Sequence, residues 1–179
     1  MHMLEHAGDG LYGRWRDVIR GPDGAVIHRG PVKSNAIVLD CRRILAALLG
    51  GSAALGIQGM LFGAGDSAWD GSSPPPATAG QTALVDPNPF LVPAADLQMD
   101  FVDDLGVVSA TPTNRLQIVA SLGAGLPPWP DGNHIAGSLR EFGLVGELAG
   151  TPALINYVTH PVINKDPAST LERSLWLVF

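Results

Sequence analysis

The sequence has very little cysteine, which limits the ways in which it can be cross-linked or can hold a metal. Among its 179 residues the only cysteine is Cys41. A single thiol excludes an intramolecular disulfide and most sulfur-ligated metal sites. Cys41 lies within an apolar helical stripe, so we expect a buried and unreactive side chain.

Basic clusters and long apolar runs are also scarce. The formal net charge is −6, and Arg42 with Arg43 forms the one short basic cluster, so we expect no nucleic acid among the direct partners. No run of about 18 apolar residues occurs, which predicts that no segment spans a membrane. Residues 1–7 lack the basic start and apolar centre of a signal peptide. The sequence therefore predicts a soluble protein made in the cytoplasm.

Glycine, proline and apolar residues are plentiful instead. The chain contains 22 glycines and 15 prolines, and 46% of its residues are hydrophobic. This composition predicts a packed core with many turns and few long helices. We predict a flexible N-terminus over residues 1–10 and a single β-rich domain over residues 11–179. Within that domain we expect a long exposed loop at about residues 67–95, because it is rich in serine, proline and alanine.

One amphipathic helix is predicted at about residues 35–50. Ser34 or Asn35 can cap its start, because a short oxygen-bearing side chain accepts hydrogen bonds from the free N–H groups of the first turn. Gly50 and Gly51 end it. We expect one apolar face to pack on a sheet. That face comprises Ile37, Val38, Cys41, Ile44, Leu45, Leu48 and Leu49.

Seven to nine strands are predicted around this helix. Residues 11–20 and 25–29 flank a Gly-Pro-Asp-Gly turn and form a hairpin. Residues 55–62 are predicted to form a strand that is buried on both faces. Apolar residues that alternate with polar ones predict further strands, at about residues 97–101, 115–122, 139–148, 153–159 and 170–179. The predicted fold class is β-rich α+β, an antiparallel sandwich-like sheet with one packed helix and two long proline-rich loops, at residues 67–82 and 123–137.

No pattern of catalytic or cofactor-binding residues is convincing. Residues 63–65 match the start of a dinucleotide fingerprint, but a proline-rich segment follows where the fingerprint needs a helix. His2, Glu5 and His6 match an inverted zinc-protease pattern, at a terminus where no rigid helix is expected. The other histidines are predicted to be packing or surface residues, namely His28, His134 and His160. We therefore predict no catalytic residues, no metal, no cofactor and no enzymatic activity.

Aromatic residues in the two loops are the candidate sites of interaction. Trp69 lies in the first loop and Trp129 in the second, where a large aromatic side chain either packs back on the chain or docks on a partner. Residues 174–179 form either a central strand of the sheet or an open strand edge that a neighbour can extend. The candidate interface comprises Trp69, Pro74, Pro75, Pro76, Trp129, Trp176 and Phe179.

Two segments of the C-terminal third carry a specific pattern. The first is Ser138-Leu-Arg-Glu-Phe-Gly-Leu-Val-Gly146, and the second is Tyr157-Val-Thr-His-Pro-Val-Ile-Asn-Lys165, followed by residues 171–179. The first resembles the "[T/S]-x-x-E-x-G-L-F/V-G" strand of small phage-tail and tail-fibre-associated proteins, and the second resembles their closing pair of strands. The likeness is one of pattern and extends over residues 11–179.

This resemblance implies a structural subunit of a phage-tail-like contractile injection particle. Relatives of this layout look like cap or cap-adaptor proteins at the end of the tube or sheath. The implied partners are other subunits of the particle (tube, sheath or cap proteins), together with further copies of the chain in a homo-oligomeric ring. We expect assembly in the cytoplasm, with release of the particle by lysis.

Two other functions stay open. One is a fibre- or baseplate-associated module that binds a receptor or carbohydrate and uses Trp69 or Trp129 as a stacking platform. No coiled-coil trimerisation segment of a full fibre is present, which favours the adaptor. The other is a small metal-dependent hydrolase that uses His2, Glu5 and His6.

Overall fold

A computed structural model of the chain describes residues 10–179. The predicted flexible N-terminus, apart from Gly10, lies outside the described residues, and so do His2, Glu5 and His6. The described part contains one α-helix, two 3₁₀ turns (Ser67–Gly71 and Ala94–Asp96) and eleven strands. In chain order these are β1 Tyr12–Arg20, β2 Val26–Arg29, β3 Lys33–Ile37, α1 Leu39–Leu49, β4 Ala54–Gly63, β5 Phe90–Pro93, β6 Gln98–Phe101, β7 Arg115–Leu122, β8 Ser138–Leu148, β9 Thr151–Leu154, β10 Asn156–Asn164 and β11 Thr170–Val178.

All strands join one curled, antiparallel sheet. Its order is β5-β4-β8-β10-β3-β1-β11-β7-β6, with β2 beside β1 and β9 beside β8. We name β2, β1, β11, β7 and β6 the first half-sheet, and β5, β4, β8, β9 and β10 the second half-sheet. The short strand β3 joins the halves by pairing with β1 on one side and β10 on the other.

The curling follows from the connection between the two end strands. Strands β5 and β6 lie at opposite ends of the sheet order but are consecutive in the chain. Only the 3₁₀ turn Ala94–Asp96 and Leu97 separate them, and a connection of that length spans at most about 15 Å. The sheet therefore bends until its ends come close to each other, and its halves face one another.

The core lies between the two half-sheets. Alternating residues of β7 and β11 point inward from the first half-sheet, because successive side chains of a strand point to opposite faces. Trp15 of β1 contacts Phe142 of β8 across the core, with ring centroids 5.2 Å apart. The sandwich-like, β-rich α+β fold predicted from the sequence is confirmed. Its fully buried apolar side chains include Met60, Phe62, Ile118, Leu122, Leu139, Phe142, Leu144, Leu171 and Leu175.

The helix begins later than predicted, and the predicted caps are wrong. Ser34 and Asn35 belong to β3 and pair with residues of β1. Because this segment is paired in a strand, neither side chain caps the helix. Val38 stands before the first helical residue and makes no side-chain capping bond. The first free N–H groups are satisfied by backbone instead, since Leu39 N donates to the Ala79 carbonyl at 2.8 Å.

The C-terminal end of the predicted apolar stripe also differs from expectation. Cys41 and Ile44 are buried as predicted, and burial raises the pKa of the Cys41 thiol to about 11, although the charge of Arg42 lowers it. The last leucine, Leu49, is 91% exposed and Leu48 is exposed as well. The helix ends at Gly50 as predicted, but Leu48 and Leu49 do not belong to its buried face.

Two strand predictions need correction. The strand predicted at 55–62 is buried only in its second part, because a register shift between Leu55 and Gly59 separates the first part of β4 from the regular pairing with β8. The single strand predicted at 153–159 is two strands, β9 and β10, which meet at Ile155. Of the alternatives for the chain's end, the central strand is confirmed, since β11 lies between β1 and β7.

Candidate functional site

Trp69 packs against the chain's own backbone near the end of β4. It is half-buried in the turn Ser67–Gly71. A Cβ added to Gly65 would lie only 2.7 Å from its ring. Next to it, Arg140 Nε and Nη2 each donate to one carboxylate oxygen of Asp70 at 2.7 Å. These bonds hold the pKa of Asp70 below its usual value. An ion pair therefore fixes this turn in place.

The three consecutive prolines lie along the outer side of β10. Thr159 Oγ1 donates a hydrogen bond of 2.6 Å to the Pro75 carbonyl. Pro74 is half-buried, whereas Pro75 and Pro76 are exposed. Together with Trp69, Pro74 lines a shallow cavity of about 340 Å³ that also includes Pro161. The first loop is thus attached to the second half-sheet and presents only part of its surface to solvent.

Trp129 stacks on a histidine of the same loop. Its ring centroid lies 3.8 Å from that of His134, with the rings tilted by 21°. His134 Nδ1 lies 2.8 Å from Asp131 Oδ1, and its Nε2 lies 2.9 Å from Asp86 Oδ2. Both ring nitrogens of His134 are therefore occupied by contacts with carboxylates of the chain itself.

Trp176 lies on the outer face of the first half-sheet. Its Nε1 donates to Gln117 Oε1 at 2.8 Å, and the guanidinium of Arg16 lies 5.6 Å from its ring centroid. Phe179, at the end of β11, is half exposed, and its amide donates to the Asn114 carbonyl at 2.9 Å. These two residues belong to β11 and its end in the first half-sheet, whereas Trp69 and the three prolines are attached to the second half-sheet, so the candidate interface residues form no single site.

A shallow groove of about 240 Å³ crosses this outer face. Arg16, Arg115 and Trp176 contribute to its lining, with Val32 and Leu105 also at its boundary. The Nε of Arg16 is buried and has no hydrogen-bond partner among residues 10–179. The groove therefore combines aromatic and cationic groups, a combination that is common in protein interfaces.

Exposed apolar side chains gather at both end strands of the first half-sheet. We name residues 26–33 the β2 edge and residues 96–108 the β6 edge. In the β2 edge Ile27 is 66% exposed, and Val26 and Val32 are also exposed. The β6 edge exposes a larger apolar group, namely Met99, Phe101, Leu105, Val107 and Val108. Such concentrations of exposed apolar surface are typical of interaction sites.

Part of the outer face of the second half-sheet is covered by the chain itself. Glu141 of β8 is fully buried there, and its carboxylate accepts from Val85 N at 2.9 Å and from Asp86 N at 2.7 Å. Tyr157 OH donates to the same carboxylate at 2.5 Å. Burial and this bond raise the pKa of Tyr157. The carboxylate thereby fixes residues 84–86 over the sheet.

Asp86 extends this polar cluster toward the second loop. Its Oδ2 accepts from Ala64 N at 2.8 Å and contacts His134, and its Oδ1 accepts from Asn88 N at 2.8 Å. Burial tends to raise the pKa of Asp131, but hydrogen bonds from Asn133 and His134 lower it below its usual value. The polar groups of the cluster are paired with one another, and its evident role is to hold both loops on the sheet.

A second polar cluster lies inside the core. Arg173 is fully buried, and its Nε and Nη2 donate to the two oxygens of Asp17 at 2.7 and 2.6 Å. The guanidinium carbon lies 4.0 Å from the ring centroid of Phe142. His160 Nε2 lies 3.2 Å from Arg173 Nη2, while its Nδ1 donates to the Pro161 carbonyl. Burial, assisted by the charge of Arg173, lowers the pKa of His160 to about 3, so this ring is neutral at neutral pH.

Neither polar cluster was predicted from the sequence, although the sequence contains a signal for the second. Arg173 lies on the same face of its strand as Leu171 and Leu175. The alternation of side chains along a strand therefore places its charge on the buried face. A buried cation needs a buried anion, and Asp17 lies on the same face of β1 as Trp15. For Glu141 the signal is weaker, namely a carboxylate inside a mostly apolar strand.

Metal and membrane features give no further site in the described part of the chain. Across residues 10–179, no group of three or more His, Cys, Asp or Glu side chains is arranged to hold a metal ion. No helix in this range has the length and apolar character needed to cross a membrane.

Comparison of the chain with protein-family models, curated proteins and solved structures found no match.

Proposed function

We propose that this chain is a structural subunit of a phage-tail-like contractile injection particle, where it acts by assembly as a cap or cap adaptor at the end of the tube or sheath. The observation that carries the proposal is the grouping of exposed apolar side chains at the β2 edge and the β6 edge. Between these edges lies the groove that contains Trp176 and Arg16. A subunit of a particle needs such contact surfaces and needs no deep cleft.

The pairing of the buried polar residues also supports a role in assembly. His134 contacts carboxylates with both ring nitrogens, and His160 uses one nitrogen for Arg173 and the other for a carbonyl. A general base needs an available lone pair at the substrate. We therefore propose that these residues stabilise the subunit and that the chain is not an enzyme.

The resemblance of residues 138–146 and 157–165 to phage-tail and tail-fibre proteins supports the kind of particle. The two segments lie in β8 and β10, which carry Glu141, Phe142, Tyr157 and His160. Both polar clusters thus depend on the segments that bear the resemblance. The partners we propose are tube, sheath or cap proteins, with further copies of the chain in a ring.

Deletion of the gene in the native host tests the proposal. We expect the chain in the mass spectrum of purified particles, and we expect its loss to leave tubes with ragged or uncontrolled ends in negative-stain images. Complementation with the wild-type gene or with Leu49→Asp should restore the particles, because Leu49 is exposed away from both edges. Complementation with Ile27→Asp/Leu105→Asp should fail. Intact particles without the chain would refute the proposal.

The cavity beside Trp69 favours a second candidate function, a receptor- or carbohydrate-binding module of a fibre or baseplate. It is lined by an aromatic ring and by Asp70, Ser72 and Ser73, and such groups can stack on and hydrogen-bond to a sugar. Glycan binding by the purified chain that is lost in Trp69→Ala, with assembly intact, would establish this function in place of the first.

A further inference from the structure

We propose that copies of this chain associate head to tail, with the β2 edge of one copy bound to the β6 edge of the next. This inference rests on the assembly function proposed above and names the surfaces that would perform it. It follows from the pairing, exposure, charge and position of the two edges.

The β2 edge can accept a neighbour because its strand is paired on one side. Strand β2 pairs with β1 and with no other strand of the described chain. All four of its residues are exposed. A strand in this state offers unpaired backbone groups, and its β-branched side chains Val26 and Ile27 add apolar contact area.

The β6 edge is also paired on one side. Val102 N donates to the Arg115 carbonyl. The backbone groups of Asp100 and Gln98, two and four residues earlier, therefore also point toward β7. By alternation the amide and carbonyl of Met99 point away from β7. Phe101 also points away, and its carbonyl accepts from Ser109 N at 2.8 Å. Backbone groups near Met99 therefore remain available beside the apolar side chains of this edge.

The two edges carry opposite charge. Residues 26–33 contain Arg29 and Lys33 and no carboxylate, whereas residues 96–108 contain four carboxylates and no cation. The four are Asp96, Asp100, Asp103 and Asp104. Pairing of the β2 edge with its own copy would juxtapose cations, and pairing of the β6 edge with its own copy would juxtapose carboxylates. Charge complementarity therefore selects the contact between unlike edges.

The position of the edges makes this contact repeatable. They are the end strands of the first half-sheet, separated by β1, β11 and β7. At a strand spacing of about 4.8 Å, they lie about 19 Å apart across the sheet. Each copy thus presents its β2 edge and its β6 edge at different places on its surface. A contact of this heterologous kind adds copies in one direction until a ring closes.

Charge reversal in the purified full-length chain tests the inference. The first variant is His28→Glu/Arg29→Glu. The second is Asp96→Lys/Asp100→Lys/Asp104→Lys, which gives the β6 edge three cations and leaves Asp103 as its one carboxylate. The replaced side chains are exposed, except for that of Asp100, which is half-buried. By light scattering and sedimentation the wild-type chain should self-associate, less strongly at high salt. Each variant alone should associate at least about tenfold more weakly than the wild type, because its two edges then carry like charge.

Mixing the two variants gives the decisive result. An acidic β2 edge of one variant then meets the basic β6 edge of the other, and the unaltered edges of the two variants are also complementary. We expect mixed oligomers of wild-type size at a one-to-one ratio. The control Arg42→Glu/Arg43→Glu makes a similar change on α1 and should associate like the wild type. Circular dichroism and urea unfolding verify that each variant is folded.

Three outcomes would overturn the inference: a monomeric wild-type chain, variants that associate as the wild type does, or folded variants that fail to associate when mixed. They are distinguishable from failure of the proposed function. A chain that occurs in the particle but stays monomeric in solution refutes the head-to-tail contact alone. A chain that forms charge-dependent oligomers but is absent from particles refutes the particle function alone.

Discussion

The two half-sheets differ in the regularity of their strand pairing and in what covers their outer faces. In the first half-sheet, β1 pairs with β11 and β11 with β7 in unbroken register, and a register shift interrupts the pairing of β1 with the short strand β2. Its outer face carries Trp176 and Arg16. In the second half-sheet, register shifts interrupt the pairing of β8 with both β4 and β10. Its outer face lies under residues 84–86, which Glu141 fixes. The regular half thus keeps its outer face for partners, while part of the irregular half lies under its own loops.

The register shift in β10 has a structural consequence. Between Thr159 and Ile163, extra residues enter β10 relative to β8, and bulges of this kind re-aim side chains. His160 lies in this interval and points into the core beside Arg173. The irregular half therefore supplies the contact that completes the ion cluster of the regular half.

The largest predicted effect comes from removing the cation shared by the two halves. Arg173→Met leaves Asp17 buried without its two hydrogen bonds, so we expect a loss of about 3–5 kcal/mol in the free energy of unfolding. Urea denaturation followed by circular dichroism measures it. The double variant Asp17→Leu/Arg173→Met should recover much of the loss, because no charge then remains unpaired. A single variant as stable as the wild type would contradict this account.

The next largest effect concerns the cover of the second half-sheet. Glu141→Ala leaves the amides of Val85 and Asp86 and the hydroxyl of Tyr157 without their acceptor, which costs about 3 kcal/mol. The same variant should be cleaved faster by protease in the first loop. Glu147→Ala on the same strand is the matched control, because Glu147 is half exposed. Equal cleavage rates for the two variants would show that Glu141 does not fix the loop.

A pH-dependent effect of intermediate size is expected from His160. Its pKa is about 3 in the folded chain and about 6.5 when unfolded, so the unfolded state takes up the proton first. The free energy of unfolding should therefore fall as the pH drops from about 6.5 toward 3, by up to about 1.4 kcal/mol per pH unit. Above that range this contribution is constant.

The variant His160→Gln separates this effect from other titrations. Glutamine can accept from Arg173 and donate to the Pro161 carbonyl, but it takes up no proton. Urea unfolding at pH 7 and pH 5 should show a smaller decrease in stability for the variant than for the wild type. Equal decreases would mean that His160 does not titrate differently in the two states.

The smallest effect on stability is expected on the outer face of the first half-sheet. Trp176→Ala loses the contact with Arg16 and the bond to Gln117, and we expect a change of about 1 kcal/mol. Trp15→Ala in the same half-sheet points inward and should cost about 3–5 kcal/mol. Urea unfolding of both variants gives the comparison. Losses of similar size would show that the outer face is as important to folding as the core.

The sequence predicted the parts of the fold that local periodicity encodes. The hairpin of β1 and β2, the alternation in β7 and the end of the helix at Gly50 all depend on residues near each other in the chain. The start of the helix was wrong, because Ser34 and Asn35 pair with β1 and local capping preferences cannot show a distant strand. The same limit explains why Glu141 was not linked to Asp86.

The candidate interface was predictable only in part. Trp69 and Trp129 attracted attention as loop aromatics, yet each packs on its own chain, through Gly65 and His134 respectively. The exposed residues Ile27 and Leu105 were not singled out, because an apolar residue in a strand or turn gives no sign of which side faces solvent. Their role becomes apparent only when the strand pairing shows that β2 and β6 are the end strands of the first half-sheet.

Oxidative footprinting with mass spectrometry is the most direct test of the central claim that the edges and outer face of the first half-sheet mediate assembly. Hydroxyl-radical oxidation of Met99, Leu105 and Trp176 would be compared between the free chain and particles purified from the native host. The account predicts strong protection of these residues in the particle, with Leu49 oxidised equally in both. Equal oxidation of all four residues in both samples, or absence of the chain from the particle, would contradict it.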